Sequence, residues 1–251
     1  MDINRLFDYE DFNNSEFLKV RDEIHESSTS RKVWEFVVMT YGLNKLGCFN
    51  EDKVALGLGC LKESLIYTYA NRFKHTYATD TAYYLIGDKN VQPWGSEKYT
   101  IKEVYDSGIP YDRSKLTVLP MDMTKLEFPD EMFDVVWCSS SVEHVGTIAD
   151  VLKCFEEVQR VLKPGGVFSI TTEWNLSGTG MVRFANVQSF DQSVIDLIDI
   201  KTPKLKLAEP IVLNRSNNPK NKEKEYMLGK THNYYGSVID YTSMSLFWRK
   251  S

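Results

Sequence analysis

The sequence has little of several things, and each scarcity excludes a class of protein. It lacks a basic surplus: 30 lysines and arginines face 35 aspartates and glutamates in 251 residues, a formal charge of −5. Proteins that grip polyanions usually display positive charge in excess, so no nucleic-acid partner is expected. Cysteine is sparse, and Cys48, Cys60, Cys138 and Cys154 have no C-x-x-C spacing for a redox pair or a zinc site. They read as reduced thiols of a cytoplasmic protein. No apolar run approaches the roughly 20 residues of a membrane-spanning helix. The opening Met1-Asp2-Ile3-Asn4-Arg5-Leu6 has neither the basic nor the apolar region of a secretory signal. No internal repeat is found, and the sequence does not indicate an oligomeric state.

What is present supports a packed core, because 42% of the residues are hydrophobic and 13% aromatic. Residues 1–32 show no sustained period and read as an N-terminal extension to one large domain over 33–251. Ser27 to Ser30 offer N-caps for a helix through Val33, Phe36, Val37 and Tyr41, with Gly42 or Gly47 as its stop. Val54-Ala55-Leu56-Gly57-Leu58-Gly59 predicts a buried strand ending in a tight turn. A helix from about Glu63 to Phe73 and a strand over 75–80 complete a β-α-β unit. Such units build parallel sheets that bind ligands at the carboxyl ends of their strands.

Residues 81–115 break the rhythm and read as an irregular insertion. Strands are predicted at 116–119 and 133–138, and Thr147 to Asp150 has the pattern of a capping box opening a helix. Lys163-Pro164-Gly165-Gly166 suits a type II turn before a strand over 167–171. Further on, a helix is expected at 194–200, a strand at 205–213, an exposed loop at 214–225 within a substrate-side segment of about 214–236, and a closing strand at 237–248.

Chemistry-bearing residues gather at the predicted strand ends. Gly57 and Gly59 would let backbone N–H groups approach a ligand, but the dinucleotide fingerprint G-x-G-x-x-G fails at Lys62, which argues against a nicotinamide cofactor. Asp80 is placed to accept both hydroxyls of an adenosine ribose, or else to cap a loop. Asp122 beside Met123 suits an adenine amino group or an ordinary turn. Trp137-Cys138-Ser139-Ser140-Ser141-Val142-Glu143-His144 delivers small polar residues, an acid and an imidazole to the rim.

In this order the motifs resemble the class I S-adenosylmethionine-dependent methyltransferases, with a type 11-like domain. The matching pieces are VALGLGCLKE at 54–63, ATD at 78–80, PMDM at 120–123, FDVVWCSSSVEHV at 133–145 and VLKPGG at 161–166. The resemblance runs from about residue 33 to 250. It implies a doubly wound α/β fold: a mostly parallel, seven-stranded, Rossmann-like sheet with an antiparallel last strand. It also implies S-adenosyl-L-methionine as cofactor. Gly57 and Gly59 would then approach the methionine end, Asp80 the ribose, Asp122 and Met123 the adenine, and Ser139 the sulfonium. Glu63 would reach the cofactor's ammonium group or cap its own helix. The chain departs from the family's glycine pattern at Leu61 and Glu63, where further glycines are usual.

The activity expected is methyl transfer to a small-molecule or glycan acceptor, at a hydroxyl oxygen. His144 is the candidate general base; Glu143 is the second choice or the group that orients the imidazole, and both alternatively only cap a helix start. No metal is expected, because Ser139, Ser140 and Ser141 stand where clustered carboxylates would be needed. Trp34 with Glu35, Trp94 and the segment from Thr231 to Tyr235, with His232, are candidates to close over the acceptor. The alternative is a methyltransferase-like binding or scaffold protein without turnover.

Overall fold

The computed structural model describes residues 1–84, 99–177, 183–184, 187–223, 230–232 and 238–251. In chain order its main strands are β1 (Arg5–Leu6), β2 (Val54–Leu58), β3 (His75–Asp80), β4 (Leu116–Pro120), β5 (Phe133–Ser139), β6 (Leu162–Asn175), β7 (Leu205–Leu207) and β8 (Val238–Lys250). The helices are α1 (Ser15–Glu23), α2 (Arg31–Lys45), α3 (Ser64–Ala70), α4 (Ile101–Tyr105), α5 (Ile148–Val161) and α6 (Gln192–Lys201).

The strand path is β1-β8-β6-β5-β2-β3-β4. The run from β4 to β6 is parallel and β8 is antiparallel to β6. This is the Rossmann-like, mostly parallel sheet with an antiparallel last strand that the motif order implies. The path has seven strands, and β7 and Lys230–His232 add short pairings to β8 for nine in all. Central strands are buried on both faces, which is why β2 reads as a continuous apolar run rather than an alternating one.

Two apolar layers flank the sheet. On one side Trp34, Val37, Tyr69, Phe73 and Trp137 pack with α2 and α3; on the other Phe155, Phe168, Ile195 and Trp248 pack with α5 and α6. Every helix but α3 starts where a polar side chain satisfies its first amides. Ser30 accepts from the Val33 amide to begin α2, and Thr147 with Asp150 forms the capping box of α5. Gly165 takes φ +78, the value the third position of a type II turn requires.

Residues at the N-terminus join this core. Ile3, Phe7, Phe12 and Phe17 are buried, and Asn4 accepts the Phe247 amide at 2.7 Å. Trp34 is wholly buried, edge-on to Phe7, and donates from Nε1 to Asp11 at 2.7 Å. It is therefore a core residue and does not close over an acceptor.

One expectation near the C-terminus needs correction. The strand over 205–213 stops at Leu207. The expected loop after 213 is exposed over most of its described residues, and polar bonds that an apolar pattern cannot register tie it down. Asn221 is buried and donates to Asp8 at 2.9 Å, Ser216 donates to the same carboxylate at 2.6 Å, and Arg215 donates to the Phe7 carbonyl at 2.6 Å. Trp94, Tyr234 and Tyr235 lie outside the described residues, as does the side chain of His232. Among the described residues, no helix is long and apolar enough to cross a membrane.

Candidate active site

A cavity of about 580 Å³ opens at the carboxyl ends of the parallel strands. That volume falls within the ~300–1,000 Å³ typical of small-molecule sites. Its walls include Gly59, Leu61, Asp80, Asp122, Met123, Ser141 and His144, drawn from the ends of β2, β3, β4 and β5. A crevice beyond the carboxyl ends of the strands is where an open α/β sheet offers its binding surface.

The turn after β2 is built for close approach. Gly59 adopts φ +64, and a Cβ there would lie 2.5 Å from the Ser141 Cβ, so only glycine fits. Ser141 in turn donates to the Gly59 carbonyl at 2.8 Å. Leu61 is also left-handed, at φ +44, where a leucine is strained. Its amide is held by Asp80 Oδ2 at 2.9 Å, while Asp80 Oδ1 accepts from Ala82 N at 2.8 Å. Burial pushes the Asp80 carboxyl up, and these two amides pull it back. Each oxygen still has lone-pair capacity for a ligand hydroxyl.

Gly57 is not in the cavity wall. A Cβ there would meet Cys60 Sγ at 2.2 Å and the Trp137 ring at 2.3 Å, so its smallness serves packing behind the turn. Asp122 is exposed and accepts from the Thr124 amide and hydroxyl, both at 2.8 Å, through Oδ1. Glu63 stands at the N-cap of α3 but its side chain makes no capping bond. Instead it accepts from Trp137 Nε1 at 2.9 Å, and burial pushes its carboxyl up to about 7.

Ser139 lies behind the wall. Its hydroxyl and carbonyl accept from Lys32 Nζ at 3.0 and 3.1 Å, so its neighbour Ser141, not Ser139, faces the cavity. Lys32 pairs with Glu35 at 3.1 Å and Arg31 with the same carboxylate at 2.5 Å. Glu35 is fully buried and also accepts from Ser140 and Ser243. Burial alone would raise its pKa, but Lys32 and Arg31 hold it below the ordinary value.

His144 ends a short turn, Val142–His144, is exposed, and borders the cavity. Glu143 beside it is fully buried, and neither of its oxygens has a hydrogen-bond partner, so it neither orients the imidazole nor caps a helix. Burial pushes its carboxyl well up, with Glu173 of β6 adding to the shift.

Sequence reasoning missed Ser141, Leu61, the Lys32–Glu35 pair and Glu173. A signal existed for two of these: charged residues at 31, 32 and 35 interrupt an otherwise apolar helix, and Glu173 interrupts a buried strand. The partners they meet are far away in the chain and left no local pattern.

A mostly parallel sheet with this strand path and a cavity walled by a clamped glycine turn and an acidic strand end define a class I methyltransferase domain. The family model described as "Methyltransferase domain" matches residues 56–170, a little under half of the chain. Over 60 residues the chain is 38% identical to sterol 24-C-methyltransferase ERG6B of Gibberella zeae, 24% of this chain and 15% of that protein. The match thus spans only about one seventh of that relative's length. An S-adenosylmethionine-dependent methyltransferase from Clostridium acetobutylicum shares the fold at 14% identity and TM-score 0.52, covering 97% of this chain and 96% of its own. The [4+2]-cyclase SpnF shares it at 13% identity and TM-score 0.55, covering 86% and 82%.

The residues present fit an adenosyl cofactor. Asp80 offers a carboxylate on the cavity wall, Asp122 and Met123 stand at the neighbouring strand end, and Gly59 keeps the turn close enough for backbone contact.

Proposed function

We propose that this protein transfers a methyl group from S-adenosyl-L-methionine to a hydroxyl oxygen of a small-molecule or glycan acceptor. The observation that carries the reading is the sharing of one cavity by Asp80 and His144, a cofactor-side carboxylate and an acceptor-side imidazole. Asp80 binds the ribose hydroxyls, Asp122 the adenine amino group, and Met123 packs on the ring. Gly59 admits the methionine end. Gly57, Ser139 and Glu63 act from behind the wall: Gly57 by letting Trp137 close on the turn, Glu63 by holding the Trp137 indole, and Ser139 by anchoring Lys32.

The cofactor supplies an activated methyl on a sulfonium, so the protein's work is alignment and exclusion of water. Orientation of this kind contributes up to ~7–11 kcal/mol in well-aligned reactions. The acceptor hydroxyl must also lose its proton, and His144 is the group at the rim placed to take it, a contribution of roughly 10²–10⁴-fold. The likeness to a sterol 24-C-methyltransferase favours a second reading, transfer to carbon. The shared fold of a cyclase keeps a third in view, a domain that binds without methyl transfer.

Calorimetric titration with S-adenosylmethionine, S-adenosylhomocysteine and NAD tests the cofactor. One-site binding of both sulfur compounds is expected; binding of neither supports the non-catalytic reading, and binding of NAD alone overturns the proposal. With cofactor bound, His144→Ala is expected to spare affinity and slow transfer to any hydroxyl acceptor found.

A further inference from the structure

Glu143, His144 and Glu173 each bring a ligating atom to within 4.8 Å of one another. Glu143 and His144 come from the turn after β5, and Glu173 from the adjoining strand β6. Glu143 is fully buried with both oxygens unpartnered. A buried carboxyl group without donors is costly, and such a group is kept where something else satisfies it. The neighbouring cations are already committed: Arg31 and Lys32 both bond Glu35, and Lys32 also bonds Ser139. The cluster reaches the cavity through His144, which lines it.

We propose that Glu143, His144 and Glu173 bind a divalent cation at the acceptor end of the cavity. Two carboxylates and one imidazole form a hard, mixed oxygen and nitrogen donor set suited to Mn²⁺, Mg²⁺ or Zn²⁺, with coordination positions left for water or an acceptor oxygen. The expectation of no metal rested on Ser139 to Ser141 alone. The second carboxylate arrives from the next strand, which that local pattern does not show. The inference rests on the proposed transfer to a hydroxyl and deepens it. It revises one role in that reading: a cation there lowers the pKa of a bound hydroxyl, whose proton then passes to solvent water, and His144 acts as a ligand in place of the base named above.

The test is an electron paramagnetic resonance titration of the full chain with Mn²⁺, in the absence of cofactor and acceptor. One saturable site per chain is expected, with nitrogen coupling from an imidazole. Glu143→Gln and Glu173→Gln are expected to weaken binding at least tenfold, and His144→Ala to abolish the nitrogen coupling. Circular dichroism melts establish that each variant folds; should Glu143→Gln fail to fold, the other two variants carry the test. No saturable binding at millimolar Mn²⁺, or one-site binding indifferent to these substitutions, overturns the inference. Cofactor calorimetry is independent of this result, so S-adenosylmethionine binding without Mn²⁺ binding would sink the metal site and leave the proposed cofactor reading standing.

Discussion

The Asp80 carboxylate accepts the Leu61 amide at 2.9 Å and thereby clamps a leucine in a left-handed conformation, φ +44, at the mouth of the cavity. The same carboxylate holds Ala82 at 2.8 Å. One side chain at the end of β3 thus fixes the turn after β2 and the entry to the segment after β3.

Asp80→Ala removes both anchors together with the proposed ribose acceptor. Hydrogen bonds to a charged group contribute roughly 1.5–3 kcal/mol each. The affinity for S-adenosylmethionine should fall at least tenfold in calorimetry while the chain still unfolds cooperatively. An unchanged affinity would remove Asp80 from the ribose role.

Leu61→Gly relaxes the left-handed strain, about 1–2 kcal/mol, against an unfolded-state entropy cost of about 0.5–1 kcal/mol. Urea unfolding should show stability unchanged or raised by up to about 1.5 kcal/mol. A loss above that would mean the leucine side chain holds the turn through its own packing.

Glu35→Ala breaks a fully buried carboxylate away from Arg31, Lys32, Ser140 and Ser243. Of the charged groups only the carboxylate is fully buried; Arg31 and Lys32 are 20% and 46% exposed and are left to solvent, so the cost comes mainly from the lost hydrogen bonds, about 1–3 kcal/mol. Ser140, left-handed at φ +49, also loses its acceptor. Denaturant midpoints of the variant and the native chain check this; a loss below about 1 kcal/mol would show the network to be solvent-screened.

Glu63 supplies a pH signature. Its carboxyl is pushed up from 4.5 to about 7, chiefly by burial, so the folded chain holds this proton more tightly than the unfolded chain. Stability from this group is therefore lost as pH rises from about 4.5 to 7, by an amount of order 3 kcal/mol. Glu63→Gln keeps an acceptor for Trp137 and removes the titration. The drop in unfolding free energy between pH 5 and 7 should be smaller in the variant; an identical drop would mean Glu63 is already ionised in the fold at pH 5.

Much of the fold was legible because its signals are local. The run from Val54 to Leu58, the capping residues Ser30 and Thr147, and the Pro164-Gly165 turn each declare an element within a few residues. The places of Asp80 and His144 at the cavity were legible for the same reason, since Asp80 ends a predicted strand and His144 lies in the short turn after another. Trp34 and Asn221 were not. Their helical or polar surroundings are satisfied by Asp11 and Asp8, partners that only the folded chain brings near.

By itself the sequence determined the alternation of strand and helix, a closing strand and the strand ends at which small, acidic and imidazole side chains would collect. Periodicity and turn chemistry act over a few residues, and these features need no more. The tertiary structure alone decided that Ser141 rather than Ser139 faces the cavity, that Glu63 holds an indole instead of capping its helix, and that Glu173 stands beside Glu143 and His144. Those outcomes depend on the register between neighbouring strands and on what burial leaves each polar atom to bond. No spacing along the chain encodes either.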